Sequence, residues 1–396
     1  MSINSVETAI AYTGELDKMF AQKSATGFFA DNNLTAKFVG GKTVMIPDVE
    51  FQGLADYDRN TGFSRGAIRV ANTSYTMTMD RARSLQIDRE DMDESGIASL
   101  AGKILGEYVR TKVIPECDAY VLSKLAGLAK TRNNLVDFNP EKPYTTLMRL
   151  IQNVQSVAGY EEELVAFVDS IMYAQLQNSE EFAKYITVSN FKQGDIDLKV
   201  NSINGVTLIP VVNERMKTAY DFATGEAGGF APTENAREVL ALVCPKKAAH
   251  LVKKTENMRI FTPEQNLDAD AYKFDYRIYY DVFVKESDLD KVWATIAPQI
   301  KIGGIACYGG AIPLINNGVN IIVPVENQGI YDFGYQWYQC DENGGNAVAV
   351  VGETSSLFKF YGSDCKVGDV VHYYVVVSLY DSIFKKSEIV TFRITE

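Results

Sequence analysis

Histidine is nearly missing from this chain: 396 residues hold two, His250 and His372. With so few, and with no Cys or carboxylate at metal-ligand spacing, the sequence argues against a zinc site or a two-histidine facial triad. Cysteine is sparse as well. The five, at 117, 244, 307, 340 and 365, form neither CxxC pairs nor an even secreted framework, so they read as separate thiols of a reducing compartment. No apolar run reaches the eighteen residues a membrane helix needs, and MSINSVETAIAYTGELDKMF at the N-terminus has no basic stretch leading into an apolar one. These absences point to a cytosol-like place of synthesis and to no membrane. Positive charge is short too, with 39 Lys and Arg against 51 Asp and Glu, a net charge of -12. Gripping nucleic acid needs a clustered basic face, so specific binding to DNA or RNA is disfavoured. A wall that merely contains nucleic acid is better without such a face.

What is present is an ordinary folded composition, 46% hydrophobic and 23% charged, in a chain with room for two or three domains. The clearest local signal is YKFDYRIYYDVFVK, Tyr272 to Lys285. Tyr272, Phe274, Tyr276, Ile278, Tyr280, Val282 and Val284 fall on one face, and Lys273, Asp275, Arg277, Tyr279, Asp281 and Phe283 on the other, which predicts a strand. At ~3.3 Å per residue it would span roughly 43 Å, well beyond a usual globular strand.

Elsewhere the chain changes character several times. Residues 1 to 50 are polar and punctuated by Gly, as in an arm lying on something else, and residues 51 to 94 are rich in Arg, Asp, Asn and Gly. From Ser95, apolar residues at helical spacing (Ile97, Leu100, Ile104, Tyr108) predict a long helix that Pro115 kinks, with Tyr120, Val121, Leu125 and Leu128 carrying it on. Thr145 or Thr146 is the expected cap of a helix striped by Leu147, Leu150, Ile151, Val154 and Val157. LVAFV at 164 to 168 and EVLALVC at 238 to 244 read as buried strands, Asp169 as a helix cap, and Asn204-Gly205 as a hairpin turn. Pro245 is expected to start a helix over PKKAAHLVKK. After QIKIGGIACYGGAI come short β runs with turn residues every eight to twelve positions: NIIVPVEN, YQWYQC, NAVAVV, LFKF, VVHYYVVVS and EIVTFRIT, the spacing of a small β-sandwich.

Catalytic patterns are near misses. GGKT at 40 to 43 is similar to the end of a phosphate-binding loop, but Ala36 stands at the first Gly position and a hairpin turn is the better reading. Cys244 and His250 have no carboxylate placed to orient the imidazole, so both are expected to be structural. Glu161 to Glu163 read as a solvated turn. The residues therefore point to a protein without enzymatic activity, catalytic residues, metals or cofactors.

The order of the parts resembles the major capsid protein of tailed bacteriophages, the Hong Kong 97-type fold, over about residues 30 to 293. GGKTVMIPDVEFQGLADYDRNTGFSRG resembles the N-terminal arm passing into the E-loop, and the helix from Ser95 the spine helix. NGVTLIPVV and LALVCPKKAAHLV are similar to strands and a helix of the axial domain, and YRIYYDVFVKES to the closing strand of the peripheral domain with its YDxFV sequence. The resemblance implies an α+β chain with an N-terminal arm (1–50), an E-loop region (51–94), and spine helix, axial and peripheral domains (95–297). An all-β immunoglobulin-like sandwich follows (298–396). Trp337 and the pair Tyr373-Tyr374 resemble that sandwich's core tryptophan and tyrosine, while Val375 stands where its second disulfide cysteine would be. Strand C ends beside the start of strand F in that topology, which would bring Cys340 and Cys365 close. Two separate thiols are nonetheless the reading a reducing compartment favours.

The implied role is assembly. Copies of the chain would form pentamers and hexamers of an icosahedral head enclosing double-stranded DNA without binding it specifically. Portal, scaffolding or decoration proteins would be partners, assembly would take place in the host cytoplasm, and the product would be a virion. The immunoglobulin-like module would face outward and attach weakly to surface glycans. In this family some shells are welded by an isopeptide bond from an E-loop lysine, yet no lysine lies between Lys42 and Lys103. Arg59, Arg65, Arg69, Arg81, Arg83 and Arg89 stand there instead, and are expected to pair with carboxylates between subunits. Two other roles fit parts of the pattern. One is an encapsulin-type compartment enclosing a protein cargo; the other is a phage tail or adhesin protein working through the immunoglobulin-like module.

Overall fold

The computed structural model describes residues 24–30, 37–39, 41–57, 59, 62–63, 65–90, 106–193, 196–222, 228–308, 319–326, 333–362, 365–379 and 383–395. The chain forms two compact units, Met1–Ala297 and Pro298–Glu396.

The first unit mixes helices and strands. In chain order it holds β1 (Lys37–Val39), β2 (Thr43–Phe51), β3 (Ile68–Thr76), β4 (Met79–Asp88), α1 (Ile114–Thr131), α2 (Pro143–Ala158), β5 (Leu164–Asp169), α3 (Ser170–Gln177) and α4 (Glu180–Tyr185). These are followed by β6 (Ile186–Gln193), β7 (Ile196–Ile203), β8 (Val206–Val211), the two-residue β9 (Tyr220–Asp221) and β10 (Ala231–Pro232), β11 (Val239–Pro245), β12 (Ala249–Phe261), β13 (Ala271–Val284) and β14 (Trp293–Ile296).

Two larger sheets organise it. One has six strands in the order β14-β11-β5-β8-β7-β6, with β5 and β8 parallel. Its central strands β5 and β11 are buried at every position, as their unbroken apolar runs require. The Asn204-Gly205 turn joins β7 to β8, both residues at positive φ (49° and 80°). Asp169 caps α3, its carboxylate accepting the Ile171 N–H at 3.2 Å. The other sheet, β12-β13-β4, is narrow and long. The strand expected from Tyr272 onward is β13, fourteen residues from Ala271 to Val284.

Helical structure runs continuously from 106 to 131. Pro115 does not kink it abruptly. It is preceded by a π-helical segment, Val109–Val113, in which the Ile114 N–H reaches back to the Val109 carbonyl. Proline has no N–H and crowds the carbonyl four residues earlier, and the wider turn accommodates both defects. Val109, Val113, Cys117, Val121 and Leu125 then face a core shared with Phe274, Tyr276, Ile278 and Tyr280 of β13. The first stretch of the expected helix, 95–105, lies outside the described residues.

Two local expectations are corrected. PKKAAHLVKK is not a helix: Pro245 ends β11, the Ala248 N–H closes a turn on its carbonyl at 3.0 Å, and β12 then runs for thirteen residues against β13. Twelve paired positions along β13 outweigh a weak local helix preference. Neither Thr145 nor Thr146 caps α2. Pro143 occupies the first turn, and the Thr146 hydroxyl accepts the Asn139 N–H at 3.2 Å instead.

The second unit is all β: β15 (Ala306–Tyr308), β16 (Val319–Ile322), β17 (Phe333–Cys340), β18 (Val348–Ala349), β19 (Leu357–Phe360), β20 (Val370–Leu379), β21 (Ile383–Lys386) and β22 (Val390–Arg393). One sheet is β15-β16-β19; the other is β18-β17-β20-β21, with β22 also on β20. Ile321, Phe358 and Phe360 from the first share a buried cluster with Trp337, Val375 and Phe392 from the second.

Candidate interaction surface

β2 and β3 pair in register from Thr43↔Thr76 to Phe51↔Ile68, with the short β1 added beside β2, so the chain builds a three-stranded arm whose two long strands pair over nine residues. Its root is apolar and buried. Val44, Ile46 and Met77 pack with Val252 of β12 and with Tyr279 and Phe283 of β13. Tyr75 lies with its ring centroid 5.0 Å from that of Phe283. Backbone bonds reinforce the root: the Met77 N–H donates to Lys42 O at 2.8 Å, and the Tyr279 hydroxyl to Met77 O at 3.2 Å.

Toward the tip the same arm turns its apolar side chains to solvent. Phe51 is 73% exposed, Phe63 88%, and Leu54 fully, with Tyr57, Ile68 and Val70 also exposed. Two contacts are made here: Gln52 Oε1 accepts the Ala67 N–H at 2.9 Å, and the rings of Tyr57 and Phe63 meet edge to face at 5.2 Å. An arm buried at its root and apolar at its exposed tip leaves large hydrophobic side chains uncovered within the chain. The charges of this segment conceal that pattern in the sequence. The signal that could have found it is the recurrence of Phe51, Leu54, Tyr57 and Phe63 where a solvated loop needs none.

The six arginines do not form one group. Arg59 and Arg65 lie in the exposed tip and Arg69 on the exposed part of β3. Arg81 and Arg83 belong to β4, which leaves the arm after Met77 and Thr78 and joins the long sheet. Arg81 is engaged within the chain: its Nε donates to Glu116 at 2.6 Å, and its terminal nitrogens reach Phe222 O and Gly229 O at 2.5 and 3.0 Å. Arg83 lines with it a cavity of about 460 Å³ that Tyr276 and Tyr280 also line. Arg89, half exposed, lies 3.7 Å from Asp270 and 4.0 Å from Glu264.

The residues weighed for chemistry occupy structural places. Cys244 is fully buried in β11, where desolvation pushes its thiol up to about 12, away from nucleophilic use at neutral pH. His250 is buried on β12 with neither ring nitrogen hydrogen-bonded, and desolvation pulls its pKa below the usual value. Gly41 and Lys42 form the turn between β1 and β2. Glu162 and Glu163 are bound by Lys291 and Lys246 at 3.2 and 3.1 Å. Among the described residues no three His, Cys, Asp or Glu side chains gather as a metal site, and no helix is long and apolar enough to cross a membrane.

In the second unit Trp337 is completely buried, its indole N–H donating to Ser355 O at 2.9 Å. Tyr373 packs against Phe358 and Phe360, centroids 5.2 and 5.4 Å away. Neither Cys340 nor Cys365 takes part in a disulfide. Cys340 Sγ lies 3.7 Å from His372 O, and Cys365 packs against the unit's core.

No family model matches the chain, and a search of curated proteins found no match. Among solved structures, similar backbones include a chain from "Mycobacterium phage Che8", at 11% identity and a TM-score of 0.41, covering 66% of this chain and 92% of that one. Another is in the mature capsid of bacteriophage PhiM1, at 13% identity and a TM-score of 0.43, covering 65% and 82%. A third is in the capsid of the cyanophage P-SCSP1u, at 14% identity and a TM-score of 0.44, covering 66% and 85%.

Proposed function

We propose that the chain is the structural subunit of a phage head: a Hong Kong 97-type major capsid protein that closes into pentamers and hexamers around double-stranded DNA and performs no catalysis. The observation that carries this reading is the arm. Monomeric proteins rarely leave contiguous large apolar side chains in water, and burying one such side chain contributes about 1.5–3 kcal/mol. Phe51, Ile68 and Val70 at the end of the paired strands, and Leu54, Tyr57 and Phe63 in the loop that joins them, are all exposed, so another copy of the chain is the natural place for them. Arg59, Arg65 and Arg69 on the same arm would add ion pairs to neighbours. The absence of lysine from 43 to 102 supports a shell held without isopeptide bonds, so mature particles should give a single 43.9 kDa band on a denaturing gel.

For the second unit the strand order supports an immunoglobulin-like module. β16 and β19 pair in one sheet, β17 and β20 in the other, and the tryptophan of β17 lies between them. It would decorate the head and bind surface glycans weakly through many copies. Portal, scaffolding and decoration proteins would be further partners, with assembly in the host cytoplasm. The test is solution mass. The purified chain should assemble into species far above 43.9 kDa, and a Leu54→Ser/Phe63→Ser variant should stay monomeric with an unchanged circular dichroism spectrum. A parent chain monomeric at every concentration and salt, or a variant that assembles equally well, would contradict the proposal.

A further inference from the structure

The sequence YDVFV near the end of β13 contains a carboxylate with no place in an apolar strand. Asp281 is fully buried, between Tyr280 and Val282 in a segment buried at every position from Ile278 to Val284. Its Oδ2 accepts the Thr78 N–H at 2.9 Å and the Thr78 hydroxyl at 3.1 Å. Its Oδ1 accepts the Tyr120 hydroxyl at 2.8 Å, Lys124 Nζ at 2.5 Å and the Val282 N–H at 2.7 Å. Lys124 Nζ also sits 5.0 Å from the ring centre of Phe283. One carboxylate thus ties together α1, β13 and Thr78.

Thr78 is the informative partner. Met77 and Thr78 are the two residues between β3 and β4, where the chain passes from the arm to the body. A buried carboxylate is an expensive way to stabilise a fold, since an apolar side chain of similar size would serve as well or better. What an apolar residue cannot do is hold a backbone N–H, a hydroxyl and an ammonium in one geometry. Tyr279 and Phe283, on the same face of β13 as Asp281, receive Val44, Ile46 and Met77 of the arm. The three form one seat: two aromatic rings, of which Tyr279 also donates its hydroxyl to Met77 O, and between them a carboxylate that accepts five directional polar contacts.

We propose that Asp281 is a latch that fixes the β2–β3 arm at a set angle to the body, acting through Thr78 on one side and Lys124 and Tyr120 on the other, so that the arm is a rigid lever. The latch does not depend on the capsid reading; its consequence for assembly, that copies dock with the arm already aimed, rests on that reading.

Hydrogen–deuterium exchange with mass spectrometry on the full chain tests the latch directly. Asp281→Asn keeps the side-chain volume but removes the charge facing Lys124 and one of the two acceptor oxygens. Peptides covering 41–47 and 73–79 should then exchange about tenfold faster, while β5 and β11 keep their protection. Thr78→Val and Tyr120→Phe each delete one hydroxyl and should speed the same peptides by a smaller factor. These milder variants carry the test if Asp281→Asn does not fold. Unchanged exchange at the arm root in the folded variants, or a loss of protection spread evenly over the body, would overturn the latch. Normal latch behaviour in a chain that never assembles would leave the latch standing and remove the capsid reading.

Discussion

Arg81 and Arg65 carry the same charge and lie sixteen positions apart, yet their surroundings give them different work. Arg81 is bound to a largely buried Glu116 and to two backbone carbonyls; Arg65 stands in water at the arm tip. Arg81→Met should therefore destabilise the isolated chain by about 2 kcal/mol, because Glu116 is left without its partner. Arg65→Ala should leave the isolated chain unchanged and lower only the melting temperature of assembled particles. Differential scanning calorimetry of both forms separates the two effects; equal losses in the isolated chain would refute the division. Asp169 gives a pH-dependent case. Desolvation pushes its pKa from the usual 3.8 up to about 6, against the pull of the Ile171 and Ser170 N–H groups. The folded state therefore holds this proton more tightly than the unfolded chain does. Its stabilising contribution is complete below about pH 4 and lost as pH rises through 6, a difference of up to ~3 kcal/mol. Asp169→Asn, which keeps the capping oxygen, should raise the melting temperature relative to the parent at pH 7.5 by more than at pH 4.5. A difference that does not change with pH would contradict this assignment.

At the scale of elements, the tip of the arm, unlike its buried root, is the part whose removal should cost the body least. Phe51 pairs with Ile68, so replacing residues 52–67 by Asn-Gly would close the hairpin with a two-residue turn suited to its twist. The isolated chain should melt within a few degrees of the parent, since Leu54, Tyr57, Phe63 and the arginines at 59 and 65 are exposed; a large drop in calorimetry would mean that the tip packs on its own body. Strands were the most legible elements. β13 is legible because Phe274, Tyr276 and Ile278 alternate with Lys273, Asp275 and Arg277, and β5 and β11 because the runs LVAFV and VLALVC are short and apolar. Half of β13 was nevertheless misleading. Tyr279, Asp281 and Phe283 share a face with Lys273, Asp275 and Arg277 and are nevertheless buried, because the arm root lies on them. No periodicity in β13 itself can announce a neighbour two hundred residues away. β12 was hidden for a related reason: PKKAAHLVKK has a helix-compatible beginning, and only its pairing with β13 makes it a strand. The exposed apolar tip of the arm is masked in the sequence by the charges around it, and the two different situations of the arginines carry no local signal. Both depend on where the chain leaves the arm at Met77 and Thr78, a point marked by no Gly or Pro.

The whole molecule has two units with separate cores, an arm with exposed apolar side chains at its tip, and a buried carboxylate at the arm's root. Acidic net charge fits a container wall, which should hold DNA without gripping it. These features have one meaning only if copies of the chain meet through the arm. The most direct measurement is electron microscopy of the purified chain beside the chain with residues 52–67 replaced by Asn-Gly. The account predicts closed, roughly spherical shells for the parent and dispersed single molecules for the shortened chain. Closed shells from both proteins, or fibres and tubes from the parent, would contradict it.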